Sequence, residues 1–211
     1  AFRSDSVCEH LLLTTTEKVA KASKKTRLAN GETVIGCYRL LCRDVAERAG
    51  GFYSQNEFDL TPFLNGAGRH LNIVELGRSC VHPDFRSGKG ISLMWKGLGA
   101  FAARHGIEAM IGCASFSGTD PPAFAQPLSY LHHHHVGEQA WQVRAYSRHF
   151  VDMNIMDADA IDLKAARRAL PPLLRGYIRS GALVGVGAVI DHQFNTVDVF
   201  VLMPMQQLSE R

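Results

Sequence analysis

The 211-residue chain has no apolar run near the roughly 20 residues a helix needs to cross a bilayer, so no membrane-spanning helix is expected. No leader pattern, internal repeat or low-complexity segment is visible. Charge of one sign is also scarce. The balance of 23 Lys and Arg against 20 Asp and Glu leaves +3, too small a bias to point to nucleic acid. It is compatible with an acidic protein partner or an anionic membrane surface. Cysteines number five, an odd count without Cys-x-x-Cys spacing, which argues against a disulfide framework and a zinc knuckle. Cys8, Cys37, Cys42, Cys80 and Cys113 are therefore expected as reduced thiols of a cytoplasmic protein.

What is present is an ordinary globular composition, 46% hydrophobic and 20% charged, sufficient for one domain over residues 1–211. Its organising stretch is 73–105. Residues 73–81 read as a strand ended by Pro83, a turn follows through Arg86, Ser87, Gly88, Lys89 and Gly90, and Ile91, Met94, Trp95, Leu98, Phe101 and Ala102 recur at helical spacing up to Gly106. A glycine turn opening a helix offers unpaired N–H groups at the positive end of the helix dipole, a setting that suits phosphate. The strand carries Glu75 and Arg78, charges seldom tolerated in an apolar element unless paired or functional. Three positions apart, they face opposite sides of a regular strand, and a bulge permitted by Gly77 would bring them together.

Elsewhere the pattern predicts strands at 10–15, 33–41, 108–114, 141–152, 182–190 and 197–203. A packed connector is expected over 44–65, broken at Gly50-Gly51 and with a short helix opening at Thr61-Pro62, then a helix from Pro121–Pro122 to Leu131, and an arginine-rich helix over 162–179 interrupted at Pro171 and Pro172. The strands flanking the central helix are expected to be parallel, with ligand at their carboxyl ends, where Ser115 falls. His132, His133, His134 and His135 point in different directions whether helical or extended, so no metal site is expected there; a donor or base role and a plain helix end both stay open. The connector between the last two strands, holding Asn195, is polar enough to line a site.

The stretch Val81-His82-Pro83-Asp84-Phe85-Arg86 with its glycine turn and helix resembles the acyl-CoA-binding core of the Gcn5-related N-acetyltransferase (GNAT) superfamily. Together with residues 75–81, 129–135 and 194–198, it is similar, over nearly the whole chain, to bacterial L-ornithine Nα-acyltransferases. The superfamily turn usually reads Arg or Gln, two residues, Gly, one residue, Gly or Ala; here Arg86 is one place out, and the later small position is Ser92.

The resemblance implies an α/β (α+β) fold, a mixed central β-sheet flanked by helices, with the family's N-terminal elements missing from this chain. It further implies transfer of a 3-hydroxyacyl group from acyl carrier protein to the α-amine of ornithine, giving lyso-ornithine lipid. In that picture Glu75 is the base, Arg78 its support or a clamp for the acceptor carboxylate, and the backbone N–H near Val81 the oxyanion donor. Arg86, Ser87, Gly88, Lys89 and Gly90 hold the phosphate of the acyl-phosphopantetheine, or of acyl-CoA, and no cofactor is permanently bound. Ser115, His132, His133, His134, Asn195 and Asp198 line the acceptor side. The expected partners are acyl carrier protein, ornithine and the membrane periphery, with no nucleic acid, at the inner face of a bacterial membrane. An acyl-homoserine-lactone-type synthase using S-adenosylmethionine and a non-catalytic lipid-binding or protein-binding module are the alternatives.

Overall fold

The computed structural model describes residues 6–19, 23–86 and 88–205. Its elements run β1 (Glu9–Thr15), β2 (Thr33–Cys42), α1 (Arg43–Ala49), β3 (Phe58–Asp59), α2 (Thr61–Asn65), β4 (Ile73–Val81), α3 (Gly88–His105), β5 (Ala109–Ser117), α4 (Ala125–His135), β6 (Arg144–Ala145), α5 (Leu163–Ala169), α6 (Pro172–Arg179), β7 (Leu183–Asp191) and β8 (Thr196–Pro204). They fall into two compact units, Ala1–Gly50 with Val74–Ile107, and Gly51–Ile73 with Glu108–Arg211.

In the first unit β2 lies between β1 and β4, antiparallel to both, with Leu11 opposite Tyr38 and Leu40 opposite Leu76. Ile35, Tyr38, Leu40 and Leu41 of β2 are buried, as expected of β-favouring residues in an inner strand. α3 packs on β1 and β2 through Met94, Leu98 and Ala102, a stripe at four-residue spacing and fully buried. Gly97 belongs to this contact: a Cβ there would stand 3.0 Å from both methyl carbons of Leu11, so the bare backbone lets helix and strand approach. The helix stops at Gly106, whose φ of 61° suits glycine and lets Ile107 donate its N–H to Ala102.

The second unit is built on a mixed sheet in the order β5-β8-β7-β6-β3. β6 and β7 are parallel, whereas β5–β8, β8–β7 and β6–β3 are antiparallel. Nearly all of β8 is buried, which its continuous Val-Phe-Val-Leu-Met run suits. α4 packs against β7 and α5.

Two expectations are corrected. The connector over 44–65 holds α1 and β3 in addition to the short helix opening at Thr61, which is α2, and the strand expected over 141–152 shrinks to Arg144–Ala145. There the chain turns, His149 donating its N–H to the Tyr146 carbonyl. Phe150 then packs over Gly187, with the Arg144 guanidinium 4.4 Å from its ring centroid, before Val151 bridges to Ala188. Side-chain packing has replaced the ladder.

Candidate active site

In the first unit, β4 carries a bulge. Cys37 of β2 pairs with Cys80 and Arg39 with Gly77, so Arg78 and Ser79 together oppose Tyr38 alone. The left-handed residue is Arg78, with φ of 50°, rather than Gly77. Gly77 has another reason to lack a side chain: a Cβ there would lie 2.9 Å from the Arg39 guanidinium. Glu75 is 2% exposed, and Arg39 is 3% exposed. Because Arg39 opposes Gly77, it shares a face of the ladder with Glu75, diagonally across the strand pair. Arg78 is exposed, and its carbonyl accepts from the Cys37 thiol at 3.4 Å.

His82 donates its N–H to the Ile35 carbonyl at 2.6 Å. By the antiparallel alternation the preceding pair, Gly36 and Val81, is then not hydrogen-bonded, and the Val81 N–H points away from β2. Arg86 Nε donates to the Val81 carbonyl at 2.9 Å, folding this side chain back over the strand end. Gly88, Lys89 and Gly90 form the first turn of α3, which contains no acidic residue. Lys89 is exposed. Gly90 sits where a Cβ would run into the Phe85 carbonyl, so only glycine allows the turn to close this tightly. Ser87 lies outside the described residues. A positive helix end, an exposed lysine and a first helical turn without a carboxylate are compatible with an anion.

Cys37 and Cys80, paired across the strands, bring their sulfurs to 3.5 Å. Burial and the Cys80 thiol raise the Cys37 pKa to about 11.

In the second unit Ser115 of β5 directly opposes Asp198 of β8. Asn195, in the β7–β8 turn with φ of 55°, accepts the Gly118 N–H on its carbonyl at 2.9 Å and so ties that turn to the end of β5. Glu57 and Asp191 come to Asp198 from elsewhere, one carboxylate oxygen of each lying within 4.8 Å of the others. Burial, then Asp198 and Asp191, raise the Glu57 pKa to about 7. Burial also raises that of Asp198, against the pull of the Ser115 and Thr196 hydroxyls. Thr196 Oγ1 acts from nearby without hydrogen-bond geometry.

The histidine tract ends α4, where its residues are engaged by the surrounding fold. Ser129 Oγ donates to the Met153 carbonyl and accepts the N–H groups of Ile155 and Met156. His133 Nε2 donates to the Met156 carbonyl at 3.1 Å, His132 stacks edge-on against His133, and the His134 ring lies 5.2 Å from that of Tyr130. Arg167 Nε donates to the buried Tyr130 hydroxyl at 3.0 Å. His135 Nε2 stands 2.8 Å from the same hydroxyl, which keeps its proton to donate and a second lone pair to accept with. The His135 pKa is lowered, by burial first and then by His134 and Arg167.

The strand-turn-helix stretch thus gathers Glu75, Arg78, Val81, Arg86, Gly88, Lys89 and Gly90 in the first unit, while Ser115, Asn195, Asp198 and His132 to His134 belong to the second. Arg39 was overlooked in the sequence, although a charge inside an apolar strand is the signal that singled out Glu75. Asp191 falls in the polar connector between the last two strands and Tyr130 in the 129–135 stretch, whereas Glu57 and Arg167 gave no local signal, since only folding brings them in.

The acetyltransferase (GNAT) domain family model matches residues 3–96. The L-ornithine N(alpha)-acyltransferase of Brucella abortus is 41% identical over 211 residues, which is 100% of this chain and 72% of the relative. That of Rhizobium meliloti is 44% identical over 98% of this chain and 67% of the relative, and that of Rhodobacter capsulatus 46% identical over 85% and 68%. With identity this high across nearly its full extent, the chain belongs to the L-ornithine N(alpha)-acyltransferase family of GNAT-domain proteins.

Proposed function

We infer that the protein transfers a 3-hydroxyacyl group from the phosphopantetheine thioester of acyl carrier protein to the α-amine of L-ornithine, yielding lyso-ornithine lipid. The observation that carries this reading is the 41–46% identity to L-ornithine N(alpha)-acyltransferases over most or all of the chain. In the reaction the amine nitrogen bonds to the thioester carbonyl carbon, the carbon–sulfur bond breaks, and the amine proton leaves to a base while the thiolate is protonated. Glu75 on β4 is the candidate base; such a group contributes about 10²–10⁴-fold. Charge developing on the carbonyl oxygen is met by the Val81 N–H, directed away from β2; one such donor is worth about 10²–10³-fold. The first turn of α3, with Lys89, takes the phosphopantetheine phosphate. Arg78 serves the acceptor carboxylate, for which its exposed position beside the bulge is suited.

Among the described residues no helix is long and apolar enough to cross a membrane. Delivery of a lipid product therefore calls for peripheral contact with the bilayer. The test offers 3-hydroxyacyl carrier protein, or the matching acyl-CoA, with ornithine, lysine or S-adenosylmethionine, and identifies the product by mass spectrometry. N-acylated ornithine from the carrier-protein donor is expected. A homoserine-lactone product, or none from any pair, would overturn the reading.

A further inference from the structure

Glu57, Asp191 and Asp198 come from three separate stretches of the second unit and present one carboxylate oxygen each within 4.8 Å of the others. Among the described residues none of the three is in an ion pair. Asp198 is only 7% exposed, and its Oδ1 is buried without a hydrogen-bond partner. Buried carboxylate oxygens are ordinarily hydrogen-bonded or matched by positive charge, and the Thr196 hydroxyl beside this one is itself buried without closing a hydrogen bond, so the oxygen stands open to a cation. Asp191 Oδ1 accepts the N–H groups of Gln193 and Phe194 at 2.7 and 3.0 Å, which fixes that carboxylate in place. The site is thus held at two points of the β7–β8 hairpin and at one point just before β3.

We propose that Glu57, Asp191 and Asp198 bind a divalent, oxygen-preferring cation, of which Ca²⁺ is the best fit. All three donors are carboxylates, the hard ligands that such ions select. Opposed oxygens stand about 4.6–5.2 Å apart across Ca²⁺ and about 4.0–4.2 Å across Mg²⁺. Separations within 4.8 Å let three oxygens share one such ion, and the flexible coordination sphere of Ca²⁺ takes carboxylates whose positions the fold has set more readily than the near-ideal octahedron that Mg²⁺ demands. The bound ion would pin the β7–β8 hairpin to the segment leading into β3. The inference does not depend on the acyltransferase reading.

The test uses the whole chain, stripped with chelator, dialysed, and titrated with Ca²⁺, Mg²⁺ or putrescine in the absence of substrates. Binding is followed by calorimetry and by thermal unfolding. Ca²⁺ is expected to bind at one site and to raise Tm by roughly 5–10 °C at a hundred-fold excess over Kd, with Mg²⁺ weaker. Asp198→Asn and Glu57→Gln should each abolish that rise. Their metal-free Tm should be no lower than the parent's, because each substitution removes one of three repelling charges. No Ca²⁺ binding by the parent would overturn the proposal, as would a rise that survives both substitutions. A putrescine effect without a Ca²⁺ effect would assign the carboxylates to an ammonium group and would also overturn it.

Discussion

Replacing Glu75 with Gln removes a charge while keeping nearly the same volume, so it isolates the electrostatic part of this residue's role. Glu75 and Arg39 share a ladder face and are 2% and 3% exposed, so the register makes the carboxylate the expected countercharge of the guanidinium. Neutralising one member of a buried pair costs about 3–5 kcal/mol, because the other charge stays buried. Gln retains an acceptor oxygen, which places the expected loss near the lower end, at ~3 kcal/mol. For a chain of this size that lowers Tm by roughly 6–12 °C. The assay is thermal unfolding of the parent, Glu75→Gln, Arg39→Met and the double variant. The double variant should recover part of the loss, with a coupling energy of roughly 2–3 kcal/mol. Costs that simply add, within about 0.5 kcal/mol, would mean that the two side chains do not interact and would refute the same-face argument.

Other expectations test other parts of the fold. Gly90→Ala drives a Cβ into the Phe85 carbonyl and should cost about 1–3 kcal/mol by chemical denaturation, whereas Gly99→Ala, where nothing lies within 4 Å, should be neutral or stabilising. Diamide, a two-electron oxidant, should join Cys37 to Cys80 with loss of two hydrogens, read by peptide mass mapping, because their sulfurs are 3.5 Å apart and the bond needs about 2.05 Å; Cys80→Ser must prevent it. The His135 ring is held neutral with a pKa below its ordinary 6.5, so the unfolded chain binds more protons there. Its contribution to stability is full above pH 6.5 and is lost as pH falls from 6.5 through the lowered value; His135→Gln should flatten that part of the stability profile.

Local pattern made the core of the first unit legible: the α3 stripe of Met94, Leu98 and Ala102, the apolar run of β2, and the presence of charge in β4 all follow from spacing alone. The bulge at this point follows from the sequence, and the residue that turns left-handed within it is Arg78. Gly77 is the residue that tolerates positive φ most easily, yet the approach of the Arg39 guanidinium fixes glycine there and Arg78 takes the turn. That contact joins residues 38 positions apart (77 − 39), which no local reading reaches. The 141–152 segment failed for a related reason. Its alternation suits a strand, but the chain turns where His149 donates to the Tyr146 carbonyl, and Phe150 packs over Gly187, a contact with a residue far along the chain. The carboxylate cluster was the least legible feature: Asp198 is singled out by the resemblance and Asp191 lies in a polar connector, but nothing local joins Glu57 to either until the fold brings the three together.

In the proposed acyl transfer Glu75 of β4 serves as the base. Single-turnover transfer from 3-hydroxyacyl carrier protein to ornithine, measured for the parent and for Glu75→Gln at a temperature where both are folded, isolates that step. The expected result is a rate lowered by about 10²–10⁴-fold with donor affinity unchanged. An equal transfer rate in the two proteins would contradict the account.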